Sequence, residues 1–191
     1  METLVEKKKY TYEEYLQLEK QTDARYEFWN GEIFAMAGGT KNHNEIAGNI
    51  HFYLRDNFRP KGCRIFAEGV KLELQKNQYY VYPDVLLTCD PTDNDEYFVT
   101  SPTLLVEVLS PGTEAYDRSV KLAQYRKIKS LRYYLLVSQS LPFVEIFART
   151  NENELFTYDV AEGMEAIIQM PALNFALSLG KIYEYIEFQS L

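Results

Sequence analysis

Residues 103–109, TLLVEVL, put a glutamate in the middle of an apolar run. Turn residues flank the run: Ser101-Pro102 before it and Ser110-Pro111-Gly112 after it. A short Val- and Leu-rich segment of this kind predicts a strand covered on both faces. An ionised carboxylate in that setting is strongly unfavourable unless a cation meets it. Glu107 therefore requires a partner, either a metal ion or a basic side chain.

A second run, residues 79–89 (YYVYPDVLLTC), has the same character and carries Pro83 and Asp84 at its centre. Proline removes a ladder donor and breaks the pairing, which re-aims the side chain that follows it. Two predicted strands thus each hold one carboxylate, Asp84 and Glu107, among apolar neighbours.

After Ser110-Pro111-Gly112-Thr113, residues 115–129 read as a helix, with Thr113 as cap and Glu114 and Asp117 near its positive end. Asp117, Lys121 and Tyr125 recur at every fourth position and lie near one face. A helix that begins directly after the Glu107 strand folds back over the sheet, which carries the Lys121 ammonium toward Glu107. Arg118 and Arg126 are the rival cations on that helix, Arg118 lying about 60° away around its axis.

The rest of the chain supplies a layered scaffold. Thr11-Tyr12-Glu13-Glu14 matches a capping box that opens a first helix. Residues 25–37 form a hairpin signal around Asn30-Gly31, in which Glu27 alternates out of phase with Tyr26 and Phe28 and reads as solvent-facing. Residues 41–58 read as a helix with Ile46, Ile50, Leu54 and Phe58 inward and His43 in its first turn. Residues 63–75 give one or two strands. Residues 90–97 form an acidic, solvated loop. Residues 131–137, 143–148 and 155–160 give further strands, and residues 176–188 a closing helix. Together these predict an α/β (α+β) domain spanning 1–191, a central mixed sheet flanked by helices.

No apolar run approaches the length of a membrane span, and the N-terminal METLVEKKKY lacks the apolar core of a signal peptide. Cys63 and Cys89 have no metal-ligand spacing. The expectation is a cytoplasmic protein with two reduced, buried thiols. The net charge of −8, from 20 basic and 28 acidic residues, argues against a non-specific polyanion binder. It does not exclude a nuclease, because an acidic metal site would add to the negative count.

Two strand carboxylates and a helix lysine form a recognisable chemical set. Carboxylates suit a hard divalent cation such as Mg²⁺ or Mn²⁺, and backbone oxygen from Val108 would lie beside them. A lysine can orient water or stabilise charge in the transition state. The set points to metal-assisted phosphodiester hydrolysis. Blander readings stay open: Asp84 as a strand end or the partner of a nearby arginine, Glu107 as a structural ion pair with Lys121, and Lys121 paired with Asp117 on a solvated face.

The ordered motifs RYEFWNGEI, YPDV, LLVEVLSPGT, YDRSVKLAQYRKI and LRYYLLV, with the helix bearing His43, resemble the PD-(D/E)XK nuclease superfamily. More closely they resemble the bacterial Uma-type family of restriction endonucleases. The resemblance implies a restriction-endonuclease-like fold and a Mg²⁺- or Mn²⁺-dependent DNA endonuclease. It makes Asp84 and Glu107 the metal-binding acids. The superfamily's motif lysine would fall at Leu109, and Lys121 on the following helix replaces it. Glu27, His43 and Tyr125 match recurrent positions and are candidate substrate-positioning residues. A homodimer is the expected assembly, because cutting both strands calls for two sites. A non-catalytic interaction module on the same fold and a metal hydrolase of small phosphoesters fit the same residues.

Overall fold

The computed structural model of the chain describes residues 8–22, 24–36, 38–149 and 156–188. The capping box forms as expected: Thr11 N–H donates to Glu14 Oε2 at 2.8 Å and Glu14 N–H to Thr11 Oγ1 at 3.2 Å. It opens helix α1 (Tyr12–Thr22). Strands β1 (Tyr26–Trp29) and β2 (Glu32–Ala35) make the hairpin. Asn30 and Gly31 take the two positive φ values, 45° and 92°, that its tight turn needs. Helix α2 (Lys41–Phe58) follows, capped by Thr40, whose Oγ1 accepts from His43 N–H.

Strands β3 (Arg64–Ala67), β4 (Lys71–Gln75), β5 (Tyr79–Val81) and β6 (Val85–Thr88) come next. The single strand expected over residues 79–89 is two strands, interrupted at Tyr82-Pro83-Asp84. They belong to different sheets: β5 lies between β1 and β4 in a five-stranded sheet, and β6 lies beside β3 in a six-stranded sheet that later strands complete. Pro83 has no N–H to give a ladder, and the chain leaves one sheet for the other at that point. Strand β7 is Phe98–Val99 and β8, the central run, is Leu104–Leu109.

The helix after β8 covers 114–125 rather than 115–129. It is α-helical over Glu114–Tyr116, π-helical over Asp117–Lys121 and α-helical again over Leu122–Tyr125. This lysine helix is the crossover to the parallel strand β9 (Tyr133–Ser138), which pairs with β8. Antiparallel β10 (Phe143–Arg149) and β11 (Phe156–Glu162) complete the sheet. Leu155, the first residue expected in that last strand, lies outside the described residues. The chain closes differently from the expected helix over 176–188. A hairpin of β12 (Ile167–Met170) and β13 (Phe175–Ser178) precedes a short helix, Leu179–Ile182. Of the residues that such a helix would turn inward, Leu177 and Ile182 are buried, on two different elements, Ile186 is half-buried, and Tyr185 is exposed, because the helix ends before it.

The asp and glu strands are neighbours, as expected: β6 pairs antiparallel with β8, Val85 opposite Val106. Pleating sends alternate residues of β8 into two cores. Leu104, Val106 and Val108 pack toward α2 with Ile46, Ile50 and Leu54. Leu105 and Leu109 face the lysine helix and the five-stranded sheet, with Trp29, Leu72, Val81 and Tyr125. Helix α1 is held on β1 and β5 by a stack of Tyr15, Phe28 and Tyr80. Cys63 and Cys89 are not free thiols but a disulfide closing the open end of the β3–β6 ladder. Among the described residues, no helix is long and apolar enough to cross a membrane.

Candidate active site

Glu107 points to the lysine-helix face of β8, because it shares the pleat of Leu105 and Leu109. It is 3% exposed. The crossover helix passes over that face and delivers Lys121, whose Nζ donates to Glu107 Oε1 at 3.0 Å. Tyr125, one turn on, donates its hydroxyl to the same oxygen at 2.8 Å. The π turn assists this convergence. At 100° per residue, the eight steps from 117 to 125 overshoot two turns by about 80°. A wider turn takes up part of the overshoot; here Leu122 N–H reaches back to the Asp117 carbonyl, five residues away.

Lys121 has two further acidic neighbours. Glu27 Oε1 lies 3.1 Å and Asp117 Oδ1 3.2 Å from its Nζ. Lys121 and Asp117 are buried, so their pair does not sit on a solvated helix face. Glu27 is buried too, which corrects the solvent-facing reading. Alternation does place it opposite Phe28, but both sides of the five-stranded sheet are covered. Its carboxylate also accepts from Trp29 Nε1 at 3.3 Å and Tyr82 N–H at 3.4 Å. The rival cation Arg118 turns elsewhere: its Nε donates to Glu145 Oε1 at 2.8 Å and its Nη1 to Glu114 Oε2 at 2.7 Å.

Asp84 stands in the break between β5 and β6. Its Oδ2 accepts from Val108 N–H at 2.6 Å, and its Oδ1 lies 3.1 Å from His43 Nε2. Val108 thus contributes its amide to this geometry. His43 is brought by the first turn of α2, and Gly39 makes room for its ring: a Cβ at Gly39 would fall 3.0 Å from His43 Cδ2. The structure therefore gathers Glu27, Glu107, Lys121 and Tyr125 into one contact network, and joins His43 to Asp84 beside it. Asp117 belongs to the same network, and its position four residues before Lys121 was the signal for it.

The electrostatics follow from burial. Desolvation pushes Glu107 well above the ordinary carboxylate range; Lys121 opposes this, while the charges of Asp117, Asp84 and Glu27 add to it. Burial alone would lower Lys121, but Glu107, Glu27 and Asp117 outweigh it and hold the ammonium protonated. Burial likewise raises Asp117. The hydrogen bond to Asp84 raises His43. Four carboxylates thus face one lysine and one histidine, an excess of negative charge that suits a further cation. The donors are hard oxygens, as Mg²⁺ and Mn²⁺ prefer. Among the described residues no three His, Cys, Asp or Glu side chains form a ready metal cage. The set fits an ion held by one or two carboxylates with water and substrate completing the shell, the usual arrangement for Mg²⁺.

A mixed sheet between helices, whose neighbouring strands carry a half-buried Asp84 and a buried Glu107 met by a crossover-helix lysine, is a restriction-endonuclease-like fold. A crystal structure titled as a "putative nuclease belonging to DUF820" from Anabaena variabilis superposes with a TM-score of 0.72. It covers 93% of this chain and 99% of that one at 16% identity. The chain belongs to the Uma2 family, described as "Putative restriction endonuclease", whose model matches residues 12–180. Two proteins of Synechocystis sp. are similar along most of their length. The uncharacterized protein slr1290 is 35% identical over 179 residues, 92% of each chain. The uncharacterized protein sll1609 is 34% identical over 156 residues, 80% of this chain and 88% of that one.

Proposed function

We propose that this protein is a Mg²⁺- or Mn²⁺-dependent endonuclease that hydrolyses phosphodiester bonds of DNA. The observation that carries the reading is the buried ammonium of Lys121 on Glu107, one strand from Asp84, in a chain of a restriction-endonuclease family. Asp84 and Glu107 would hold the ion. When bound, it would neutralise phosphate charge and lower the pKa of water for attack.

The side chains divide the remaining work. Lys121 would orient the attacking water and stabilise charge developing on the phosphate. Tyr125 fixes one Glu107 oxygen by hydrogen bonding, which leaves the other for the ion. His43 and the Val108 amide hold Asp84 at a set angle. Glu27 and Asp117 keep Lys121 charged and stationary, so its ammonium needs no reorganisation during the reaction. Cutting a duplex requires two such sites, and we include a homodimer in the proposal.

Purified protein incubated with plasmid, linear and single-stranded DNA, with and without each metal, tests this directly. Cleavage should require Mg²⁺ or Mn²⁺ and disappear in Asp84→Ala and Glu107→Gln. Absence of metal-dependent cleavage of all three substrates by the wild-type chain would sink the proposal. Metal-dependent turnover of a small aryl phosphodiester alone would reassign the substrate. Sedimentation of the protein with and without DNA tests the dimer.

A further inference from the structure

The site is rich in carboxylates, yet its proposed substrate is a polyanion, so a cation at its rim has work to do. Three cations on the surrounding elements are already committed to acids. Lys121 serves Glu107, Glu27 and Asp117; Arg118 serves Glu145 and Glu114; Lys71 pairs with Glu19. Arg25 is different. It opens the RYEFWNGEI motif, it is exposed, and among the described residues no carboxylate lies within ion-pair distance of its guanidinium.

That guanidinium occupies the space beside Gly69: a Cβ there would fall 2.9 Å from Arg25 Cζ and Nη2 and 3.2 Å from Nη1. Gly69 has a φ of +96° and follows Glu68, itself at +40°, in a tight turn at the end of β3. This turn borders the site, because Glu68 N–H donates to the backbone oxygen of Asp84 at 3.1 Å. Arg25 is also close enough to Tyr82, two residues before Asp84, for its charge to act on that phenol. One residue step and one strand spacing separate Gly69 from the Asp84 backbone, which puts the guanidinium on the order of 10 Å from it. Successive phosphates of a strand are further apart through space than the axial rise of about 3.4 Å, because the backbone winds around the axis, so that distance reaches the phosphate next to the scissile one or the one beyond it.

We propose that Arg25 is a phosphate-binding residue that engages a non-scissile phosphate one or two positions from the bond to be cut. It sets the register of the strand across Asp84 and Glu107. A planar guanidinium offers paired donors that suit a phosphate, and among the described residues it has no acid partner to give up first. Gly69 matters because any side chain there would displace Arg25 from its seat. The inference rests on the endonuclease reading above.

The test is equilibrium binding of a short fluorescent DNA duplex in Ca²⁺ buffer over a range of salt concentrations, beside a Mg²⁺ cleavage assay. Arg25→Gln should bind about tenfold more weakly or worse. The slope of log affinity against log salt should fall by about one phosphate contact. Arg25→Lys should keep the slope. Cleavage by the wild type with an unchanged slope in Arg25→Gln would overturn the Arg25 assignment and leave the endonuclease reading standing. Equal losses in Arg25→Gln and Arg25→Lys, again without a change of slope, would mark a structural role and overturn it too. A wild-type chain that neither binds nor cuts DNA would overturn both.

Discussion

On the side of the six-stranded sheet turned toward α2, strands β6, β8 and β9 present Val85, Leu87, Leu104, Val106, Val108, Tyr133, Leu135 and Val137, all buried. On the other side the same strands present Leu86, Leu105, Leu109, Tyr134 and Leu136, but also Glu107. Glu145 lies two strands along in the same row, opposite Leu136. Both faces exclude water to a similar degree. They differ in what the covering helix brings: α2 brings Ile46, Ile50 and Leu54, while the lysine helix brings Asp117, Lys121 and Tyr125. Equal burial therefore does different things on the two sides. Toward α2 it is a source of stability. Toward the lysine helix it creates a low-dielectric chamber in which a few charges interact strongly, at a cost in stability that the apolar side must offset.

The sharpest way to break this contrast is to remove Glu107. Glu107→Gln should lower metal-dependent cleavage by at least about a thousandfold, while thermal melting shows a folded protein. Retention of more than a tenth of the wild-type rate would assign Glu107 to structure.

Next in size is Lys121→Ala, which strands three carboxylates around an empty position. We expect about 3–5 kcal/mol of destabilisation by urea unfolding, together with loss of cleavage. A change under about 1 kcal/mol would mean that the carboxylates are already protonated or wet, and that the ammonium matters little to the fold.

Leu135→Ala, on the apolar side, should cost about 2–5 kcal/mol through the cavity it leaves. The rate per folded molecule should not change. A large fall in that rate at a temperature where the variant is fully folded would show that the two faces are not separable.

The Cys63–Cys89 disulfide closes a loop with a sequence separation of 26, for which chain entropy predicts about 3.5 kcal/mol at most. Reduction should lower the melting temperature. An identical melting curve with and without dithiol would show that this covalent link adds nothing to the ladder it closes. The smallest effect expected is Tyr125→Phe, which removes one hydrogen bond to a carboxylate and should cost about 1.5–3 kcal/mol or less. Cleavage should slow without vanishing.

Much of this arrangement is legible in the sequence, for physical reasons that differ by element. Strand β8 and helix α2 announce themselves through apolar patterning between turn residues, and the β1–β2 hairpin through Asn30-Gly31. Glu107 is legible because a charge in a buried strand needs a partner, and the crossover helix is where a partner would come from. The break at Pro83 is visible, but nothing local says that β5 and β6 end up in different sheets. The same limit hides Glu27: alternation gives its side of the strand, whereas its burial depends on a helix almost a hundred residues later in the chain. Leu177, Ile182 and Ile186 are spaced loosely enough to suggest a helix, yet the β12–β13 pairing prevails over β13 and leaves one helical turn after it. The π turn has no composition of its own. Two cysteines far apart in sequence become a disulfide only when β3 and β6 pair.

The junction at Pro83 has a mechanical consequence. Val81 is fixed in one sheet and Val85 in the other, with four backbone steps between them. At full stretch such a tether is about 14 Å long. Whatever enters between the two layers, they cannot part further than this at the point where Asp84 sits. Two other short links, Ala67 to Lys71 and Val99 to Leu104, tie the same two sheets together, so relative movement of the layers is least around these junctions and greatest at strands remote from them such as β2 and β11. Asp84 and Glu107 both stand close to these junctions, where displacement is least.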